Sequence, residues 1–360
     1  MKAWDSWRRW TARLSACAVA MAAAPLAAAS FSFVALGDTA YNLPDDLPRY
    51  DRLIQTINAA DPAFSIHVGD IWGARPCTEA SYRDTLTWFD RYDHPVVYTP
   101  GDNEWTDCRR VEILRAYSGI GSETDNQALA EAFQFENAFA NSSYVDVLAA
   151  LATLRSVFFS APQSLGADPM PLTRQGDGGG DYAEMVENAR WERDGVIFAT
   201  VHVAGSDNDF RINDDARFQA AARRNRANIA WLRETFERAE AQDAPAVVIA
   251  LHAGMFVDGE SGDLTGSAIR GGQAGPYGWI VFAIRDYAAR FGKPVLLING
   301  DFHDFVIDRP FMVEQGEGEA PLYDNITRLQ VYGAPQIRAV RVTVDTDTPW
   351  VFGFEPLYAE

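Results

Sequence analysis

Three stretches of the chain share one design: Phe31-Ser-Phe-Val-Ala-Leu-Gly-Asp38, Phe64-Ser-Ile-His-Val-Gly-Asp70 and Pro95-Val-Val-Tyr-Thr-Pro-Gly-Asp102. Each is a short apolar run, typical of a buried strand, that ends in Gly-Asp. The segments between them, residues 47–60 and 79–93, space their apolar side chains three and four positions apart, which predicts helices. Alternating strands and helices predict a parallel sheet whose strand ends meet at one edge.

The repeated Gly-Asp pair is the first sign of a site. One such pair is a common turn, because glycine lets the backbone change direction sharply. Three pairs, each closing a strand of successive units, are not explained by turns alone. Because residues just past parallel strands converge on one crevice, Asp38, Asp70 and Asp102 are predicted to lie close together.

The second half of the chain continues the strand–helix pattern. Strand-like runs at residues 196–203, 246–251 and 294–298 end at or near His202, His252 and Asn299-Gly-Asp-Phe-His303. Helices are predicted at residues 125–140, 144–158, 214–242 and 279–291, and strands with period-2 alternation from residue 326 onward. Parallel units followed by an antiparallel meander indicate an α/β protein with two packed sheets and helices outside.

The strand ends carry side chains that are typical metal ligands. They are Asp38, Asp70, Asp102 with Asn103, His252, and Asp301 with His303. Carboxylate and imidazole ligands in this mixture suit Mn, Fe, Zn or Mg rather than a thiolate site. Two such ions, about 3.5–4 Å apart and bridged by one carboxylate, can orient a hydroxide and neutralise a phosphoryl group.

These residues resemble the motifs of the calcineurin-like metallophosphoesterases, a family that includes the purple acid phosphatases. The family pattern is Asp-x-His, Gly-Asp, Gly-Asn-His-Asp/Glu, a strand-end His and Gly-His-x-His. This chain has, in the same order, Gly37-Asp38-Thr39-Ala40, Gly69-Asp70, Gly101-Asp102-Asn103-Glu104, His252 and Gly300-Asp301-Phe302-His303. The resemblance implies a four-layer α/β/β/α sandwich of two mixed sheets with a dinuclear site. On it Asp38 and His303 bind the first ion, Asp70 bridges, and His252 binds the second.

Four positions depart from the family pattern. Ala40 replaces a histidine ligand, and the adjacent Tyr41 is a candidate substitute. Asp102 and Asp301 place carboxylates where the family has an asparagine and a histidine, which favours harder metals such as Mn or Mg. Asn103 stands at the histidine credited with assisting the leaving group, and we expect it to orient the phosphoryl group instead.

The chain resembles more closely a branch of this superfamily among exported bacterial proteins. The shared stretches are Gly37-Asp38-Thr39, His67-Val-Gly-Asp70-Ile71, Pro100-Gly-Asp-Asn-Glu-Trp-Thr-Asp-Cys108, Glu187-Asn188-Ala-Arg-Trp191 and Gly-Asp-Phe-His303. The departures described above then belong to the pattern of that branch. No substrate follows from this resemblance.

The first 29 residues differ from the rest of the chain. Four basic residues precede an alanine-rich apolar run at residues 14–24, and Ala27-Ala28-Ala29 follows. This order predicts a secretory signal peptide at residues 1–29, with one domain at residues 30–360 in a periplasmic or secreted protein. A twin-arginine signal at Arg8-Arg9 is a second interpretation. Most of the apolar run follows Cys17 instead of preceding it, which is the wrong register for lipid attachment.

Charge and hydropathy limit the partners. The segment 1–29 carries four basic residues and one acidic residue, so its removal changes the formal net charge from −19 to −22. Such a surface repels nucleic acids and anionic membranes, and we expect no nucleic-acid-binding surface. No later apolar run approaches the roughly 18 residues of a membrane span. The expected partner is a small phosphorylated substrate, and the oligomeric state is open.

Several residues near the motifs have two interpretations each. Cys77 and Cys108 are either a disulfide joining two site loops, which an exported protein favours, or free thiols. His67 is predicted to be a core histidine bonded to the backbone, and His202 to be either core or site. Glu104 either lines the site or caps a helix. Glu187, Asn188 and Arg190 are interpreted either as substrate contacts or as part of a solvated helix surface, and the glycine-rich loop at residues 259–278 is a candidate lid.

The sequence therefore predicts a metal-dependent hydrolase of phosphomonoesters or phosphodiesters that uses a metal-activated hydroxide. Its predicted metal ligands are Asp38, Asp70, Asp102, His252, Asp301 and His303. The alternative, motivated by Ala40 and Asn103, is a catalytically weak binding protein that keeps the fold and a single structural metal. A third interpretation, an exported α/β protein without metal, leaves His252 and His303 as coincidences.

Overall fold

A computed structural model of the chain describes residues 30–73, 75–108, 146–256, 275–311 and 323–359. The predicted signal peptide, the predicted helix at residues 125–140 and the glycine-rich loop up to residue 274 lie outside the described residues. Within those ranges no helix has the length and apolar character needed to cross a membrane.

The described part of the chain alternates strands and helices. Its longer helices are α1 (Leu47–Ala59), α2 (Glu79–Phe89), α3 (Val147–Phe158), α4 (Asp215–Ala241) and α5 (Gly278–Phe291). The strands are β1 (Phe31–Leu36), β2 (Ser65–His67), β3 (Val96–Tyr98), β4 (Thr173–Arg174), β5 (Ala189–Arg193), β6 (Val196–Thr200), β7 (Val247–Ala250), β8 (Val295–Asn299), β9 (Val306–Asp308), β10 (Ile326–Gln330), β11 (Arg338–Val344) and β12 (Phe352–Tyr358).

Helix α2 is shorter than its apolar pattern predicts. It ends at Phe89, and Asn58 holds the chain beyond that end by donating to Arg91 O at 2.9 Å and accepting from Asp93 N at 3.2 Å. Helix α3 begins at Val147, where the carboxylate of Asp146 accepts hydrogen bonds from two main-chain N–H groups of the first turn. Side chains therefore bond to the backbone just beyond the end of α2 and at the start of α3.

The described residues form two mixed sheets. The first sheet has the order β12-β11-β1-β2-β3, in which β1, β2 and β3 are parallel and β11 and β12 are antiparallel additions. The second sheet has the order β4-β5-β6-β7-β8-β10-β9, in which β6, β7, β8 and β10 are parallel. The predicted antiparallel meander at the end of the chain is wrong for β10, which pairs parallel to β8. Period-2 alternation indicates a buried face but not the neighbouring strand.

Alternation along the strands explains the layers. On β1, Phe33 and Ala35 pack into the core between the sheets, whereas Val34 and Leu36 pack against α1, α2 and α3. On β7, Val248 and Ala250 face the same inter-sheet core, and the intervening residues pack against α4 and α5. Helices thus cover the outer face of each sheet. The structure confirms the predicted α/β class with two packed sheets and helices outside.

Candidate metal centre

The six residues predicted as metal ligands lie on loops at the carboxyl ends of strands. Loops after β1, β2 and β3 carry Asp38, Asp70 and Asp102, and loops after β7 and β8 carry His252, Asp301 and His303. The two packed sheets present these loops at the same end of the molecule. A set of residues from both sheets therefore meets in one place.

His252 lies at the centre of this set. Its Nε2 is 3.5 Å from Asp70 Oδ1, 3.5 Å from Asp102 Oδ1 and 3.8 Å from Asp301 Oδ1. The candidate ligands form two groups. The first group is Asp38, Asp70 and His252, and the second is Asp102, His252 and Asp301. Within each group the ligand atoms lie within 4.8 Å of one another. His252 belongs to both groups.

The protein groups alone form an environment that suits a cation. Nδ1 of His252 lies 2.8 Å from Val68 O and can donate to it, while the buried Nε2 has no hydrogen-bond partner among the described residues. Burial, and then the charge of Asp301, raise the pKa of Asp38 to about 7 although the nearby His252 opposes the shift. A divalent cation removes the repulsion between such carboxylates, and the backbone bond fixes the imidazole for coordination. These residues fit a metal.

The backbone of four predicted ligands is left-handed. Asp38, Asp70, Asp301 and His303 have φ values of 47°, 52°, 79° and 64°. Left-handed dihedrals are uncommon for residues other than glycine and cost of order 1 kcal/mol or more each. Such residues persist only where the surrounding structure holds them, and they concentrate at functional sites.

Glycines in the motifs let the loops approach one another. A Cβ atom on Gly101 would lie 2.0 Å from Asp70 Oδ1, and one on Gly300 would lie 2.1 Å from Asp38 Oδ2. In each case the glycine of one motif contacts the carboxylate of another. Close contact between motifs, besides the sharp turn that the sequence predicts, therefore requires these glycines.

Glu104 has a role that neither interpretation of the sequence anticipated. Its fully buried carboxylate accepts hydrogen bonds from the main-chain nitrogens of Asp70 at 3.1 Å, Ile71 at 2.5 Å and Gly101 at 2.7 Å. It therefore joins the loop after β2 to the loop after β3 and neither lines the site nor caps a helix.

Tyr41 and Asn103 lie beside Asp70. The Tyr41 hydroxyl donates to Asp70 Oδ2, and Asn103 Nδ2 is 2.6 Å from the same oxygen and 3.0 Å from the Tyr41 hydroxyl. The Tyr41 ring meets the His303 ring edge-on with centroids 4.7 Å apart, and His303 Nε2 lies 3.8 Å from Asp38 Oδ1. Tyr41 thus occupies a position next to the candidate ligands, as its place beside Ala40 in the sequence allowed.

Of the two interpretations of the cysteines, the structure shows the disulfide. Cys77 and Cys108 are bonded, with their Cα atoms 5.6 Å apart. The bridge links the segment after Asp70 to the segment after Asp102. Together with Glu104, it gives these two loops one covalent and one hydrogen-bonded connection.

The remaining histidines near the motifs have structural surroundings. His67 is buried, and its Nδ1 accepts from Gly69 N at 3.2 Å, which confirms a core histidine bonded to the backbone. His202 Nδ1 lies 2.6 Å from Glu187 Oε1, whose carboxylate also pairs with Arg155 at 2.5 Å. Among the described residues His202 belongs to neither group of candidate ligands. We place it in the core.

Residues 187–190 are not a solvated helix. Glu187 and Asn188 are fully buried. The side chain of Asn188 donates to Gln175 and Asn228 and accepts from the main-chain nitrogen of His202. Arg190 lies on β5 with its guanidinium 4.2 Å from the centre of the Trp231 ring. The polar side chains of this segment therefore stabilise the packing of β5 and α4, and the interpretation of the segment as a solvated helix is wrong.

Ser206 was missed by the sequence reasoning. Its hydroxyl lies 2.7 Å from Asp102 Oδ2, at the end of the loop that follows β6. The signal that could have indicated it is the run Gly205-Ser-Asp-Asn-Asp209, because these residue types tolerate left-handed and turn conformations better than others.

No protein-family model and no curated protein matches the chain. Solved structures that match include GAP50, described as the anchor in the inner membrane complex of Plasmodium, at 9% identity and a TM-score of 0.41 over 92% of this chain and 89% of that one. PhoD matches at 12% identity and 0.49, over 88% of this chain and 64% of that one. A dimetal phosphatase from Danio rerio matches at 9% and 0.44, over 92% and 99%.

Proposed function

We propose that the chain is a metal-dependent hydrolase of small phosphomonoesters or phosphodiesters. The observation that carries the proposal is the pair of ligand groups that share the buried His252, each with its ligand atoms within 4.8 Å of one another. Two divalent ions would be held by Asp38, Asp70, Asp102, His252, Asp301 and His303. Such ions lower the pKa of water and neutralise the charge of a phosphoryl group.

The ligand set favours a hard metal. Four carboxylates, from Asp38, Asp70, Asp102 and Asp301, surround one buried imidazole. Oxygen-rich sites of this kind suit Mn or Mg better than sites dominated by nitrogen or sulfur. Four ionised carboxylates also balance the charge of two divalent ions, so the loaded site attracts an anionic substrate less strongly than a histidine-rich site.

Asn103 is the residue we assign to the phosphoryl group. Its Nδ2 lies within 3.0 Å of three oxygens, those of Asp70, Trp72 and Tyr41. An amide nitrogen has only two hydrogens for these acceptors. A phosphoryl oxygen can take the place of the Tyr41 hydroxyl as acceptor while the bonds to Asp70 and Trp72 keep the amide in position.

The experiment begins with the mature chain, residues 30–360. Bound metals are determined by elemental analysis, and hydrolysis of p-nitrophenyl phosphate and its bis ester is measured with added Mn. We expect two divalent ions per chain, activity that a chelator removes, and loss of activity in Asp70→Asn. Asp168→Asn, at an exposed position, is the matched control. Activity that survives the chelator or Asp70→Asn contradicts the proposal.

A binding protein with one structural metal is the second candidate. The observation that favours it is the membership of His252 in both groups, because one ion between Asp70, Asp102 and Asp301 would use the same imidazole. The two candidates differ in stoichiometry. One tightly bound ion, with no hydrolysis of either ester, favours the binding protein.

We also propose that residues 1–29 are removed during export and that residues 30–360 form one domain. The Cys77–Cys108 disulfide supports export, because disulfides persist mainly in oxidising compartments. N-terminal sequencing of the protein recovered from a periplasmic or secreted fraction tests this. A chain that begins at Ser30 is expected, and an intact Met1 terminus in that fraction contradicts cleavage.

A further inference from the structure

The turn Gly205–Asn208, which follows β6, lies directly against two of the proposed ligands. A Cβ atom on Gly205 would be 2.7 Å from Asp102 Oδ2 and 2.7 Å from Asp301 Oδ1. Only a hydrogen atom fits between the backbone of the turn and these carboxylates. The turn therefore forms one wall of the group made by Asp102, His252 and Asp301.

Ser206 holds one oxygen of Asp102. The Ser206 hydroxyl is 2.7 Å from Asp102 Oδ2 and 2.9 Å from Asp107 Oδ1. The other oxygen, Asp102 Oδ1, is the one that lies 3.5 Å from His252 Nε2. The two oxygens of Asp102 thus have separate partners, and the contact with Ser206 directs the second oxygen toward the ligand group.

This contact requires an unfavourable backbone. Four consecutive residues, Ser206, Asp207, Asn208 and Asp209, have φ values of 49°, 60°, 51° and 58°. A run of left-handed residues is unfavourable for every residue that carries a Cβ atom, and it normally occurs at single positions. Such strain is kept where the surrounding structure holds it, commonly at functional sites.

Helix α4 supplies the groups that hold the turn. The side-chain oxygen of the buried Asn208 accepts from Ala204 N and from Arg224 Nε, each at 3.2 Å. Asp209 is buried and accepts from Arg217 Nε at 2.9 Å. Two guanidinium groups from one helix therefore fix the end of the turn whose beginning contacts Asp102.

We propose that Ser206 is a positioning residue for Asp102. The strained left-handed turn is kept because it places the Ser206 hydroxyl against the Asp102 carboxylate. The inference rests on the proposed function, because it assigns Asp102 to a metal ion. Hydrogen-bonding partners of metal ligands fix the orientation of the ligand, and their removal typically weakens metal binding or activity about 10–100-fold.

The first measurement is Mn binding to the mature chain and to Ser206→Ala by isothermal titration calorimetry. One ion is expected to bind about 10–100-fold more weakly in the variant, with the other unchanged, and kcat is expected to fall more than KM rises. Asp194→Ala is the matched control, because Asp194 also has a left-handed backbone (φ 50°) but lies on an exposed turn.

The second measurement separates positioning from a role in stability. Ser206→Gly removes the hydroxyl and also relieves the strain, so the metal-free variant should melt at a higher temperature than the metal-free wild type while its Mn affinity falls as in Ser206→Ala. If Ser206 only stabilised the fold, metal-free Ser206→Gly would instead melt at a lower temperature than the metal-free wild type. Wild-type affinity for both ions in both variants overturns the inference alone. If the wild type binds no Mn, the proposed function is overturned as well. Mn binding to the wild type is therefore measured before any variant is made.

Discussion

The buried carboxylate of Glu104 accepts a hydrogen bond from the main-chain nitrogen of Asp70 at 3.1 Å. The same oxygen accepts from Gly101 N at 2.7 Å, and the second oxygen accepts from Ile71 N. Glu104 thus sets the relative position of two loops, each with a proposed metal ligand. An acid next to the site contributes to it through the backbone and not through coordination.

Replacing Glu104 by glutamine should destabilise the protein and weaken metal binding. The amide has one acceptor oxygen and places an NH₂ group against N–H donors, so at least one buried N–H loses its partner. We expect the free energy of unfolding to fall by about 2–3 kcal/mol and Mn affinity to fall about 10–100-fold. Urea unfolding and calorimetry measure the two effects. Glu192→Gln, at an exposed position, is the control, and identical unfolding midpoints for Glu104→Gln and wild type contradict the role.

Tyr41→Phe tests the hydroxyl beside Asp70. The hydroxyl donates to Asp70 and accepts from Asn103 Nδ2 at 3.0 Å, so its loss removes one of the groups that hold the Asp70 carboxylate. A decrease of about 10–100-fold in kcat/KM is expected with little change in stability, since the ring and its packing on His303 remain. Steady-state kinetics with the bis ester measure the effect. Tyr358→Phe, at an exposed residue, is the control and should have wild-type kcat/KM. Equal kcat/KM of the wild type, Tyr41→Phe and Tyr358→Phe would show that the Tyr41 hydroxyl is dispensable.

Removing the disulfide should loosen the same two loops. In the chain-entropy description, a bridge between residues 31 positions apart stabilises the fold by about 3–4 kcal/mol, mainly by restricting the unfolded chain. The double variant Cys77→Ser/Cys108→Ser should therefore unfold at a lower urea concentration and bind Mn more weakly. Reduction of the wild type, followed by removal of the reductant under nitrogen, should reproduce both changes. An unchanged midpoint after either treatment would contradict this expectation.

His67 should make the protein sensitive to acid. Burial, together with the charge of His252, lowers the pKa of His67 from 6.5 to about 3. The unfolded chain takes up a proton below about pH 6.5 but the folded protein does not, so the stability present above that pH is lost as the pH falls toward 3. Between pH 7 and pH 5 the loss from this residue is roughly 2 kcal/mol.

His67→Asn is the variant that measures this effect. The asparagine oxygen can still accept from Gly69 N but does not titrate. The change in unfolding free energy between pH 7 and pH 5 should therefore be smaller in the variant by roughly 2 kcal/mol. Every other titratable group is common to both proteins, so the difference isolates the imidazole. Parallel pH profiles would show that His67 is not the source of the acid sensitivity.

The local features of the fold could be predicted from the sequence. Strands β1, β2 and β3 and helices α1 and α4 follow from apolar periodicity, because a residue's neighbours along the chain determine which face it can bury. The Gly-Asp repeats predicted the positions of Asp38, Asp70 and Asp102, because the ends of parallel strands meet at one edge of a sheet. For Cys77 and Cys108 the sequence left a disulfide and free thiols as alternatives, and the structure shows the disulfide.

Only the tertiary structure decided which groups surround these acids. Glu104, Tyr41 and Ser206 contact Asp70 or Asp102 across separations of 29 to 104 residues, and no period in the sequence reports contacts of that kind. The left-handed turn at Ser206 is also hidden from local reasoning, because Arg217 and Arg224 of α4 stabilise a conformation that the turn would not adopt alone. The positions of the strand-end acids could be predicted because local chain geometry places them. Their orientations depend on contacts between distant segments, which form only when the sheets and helices pack.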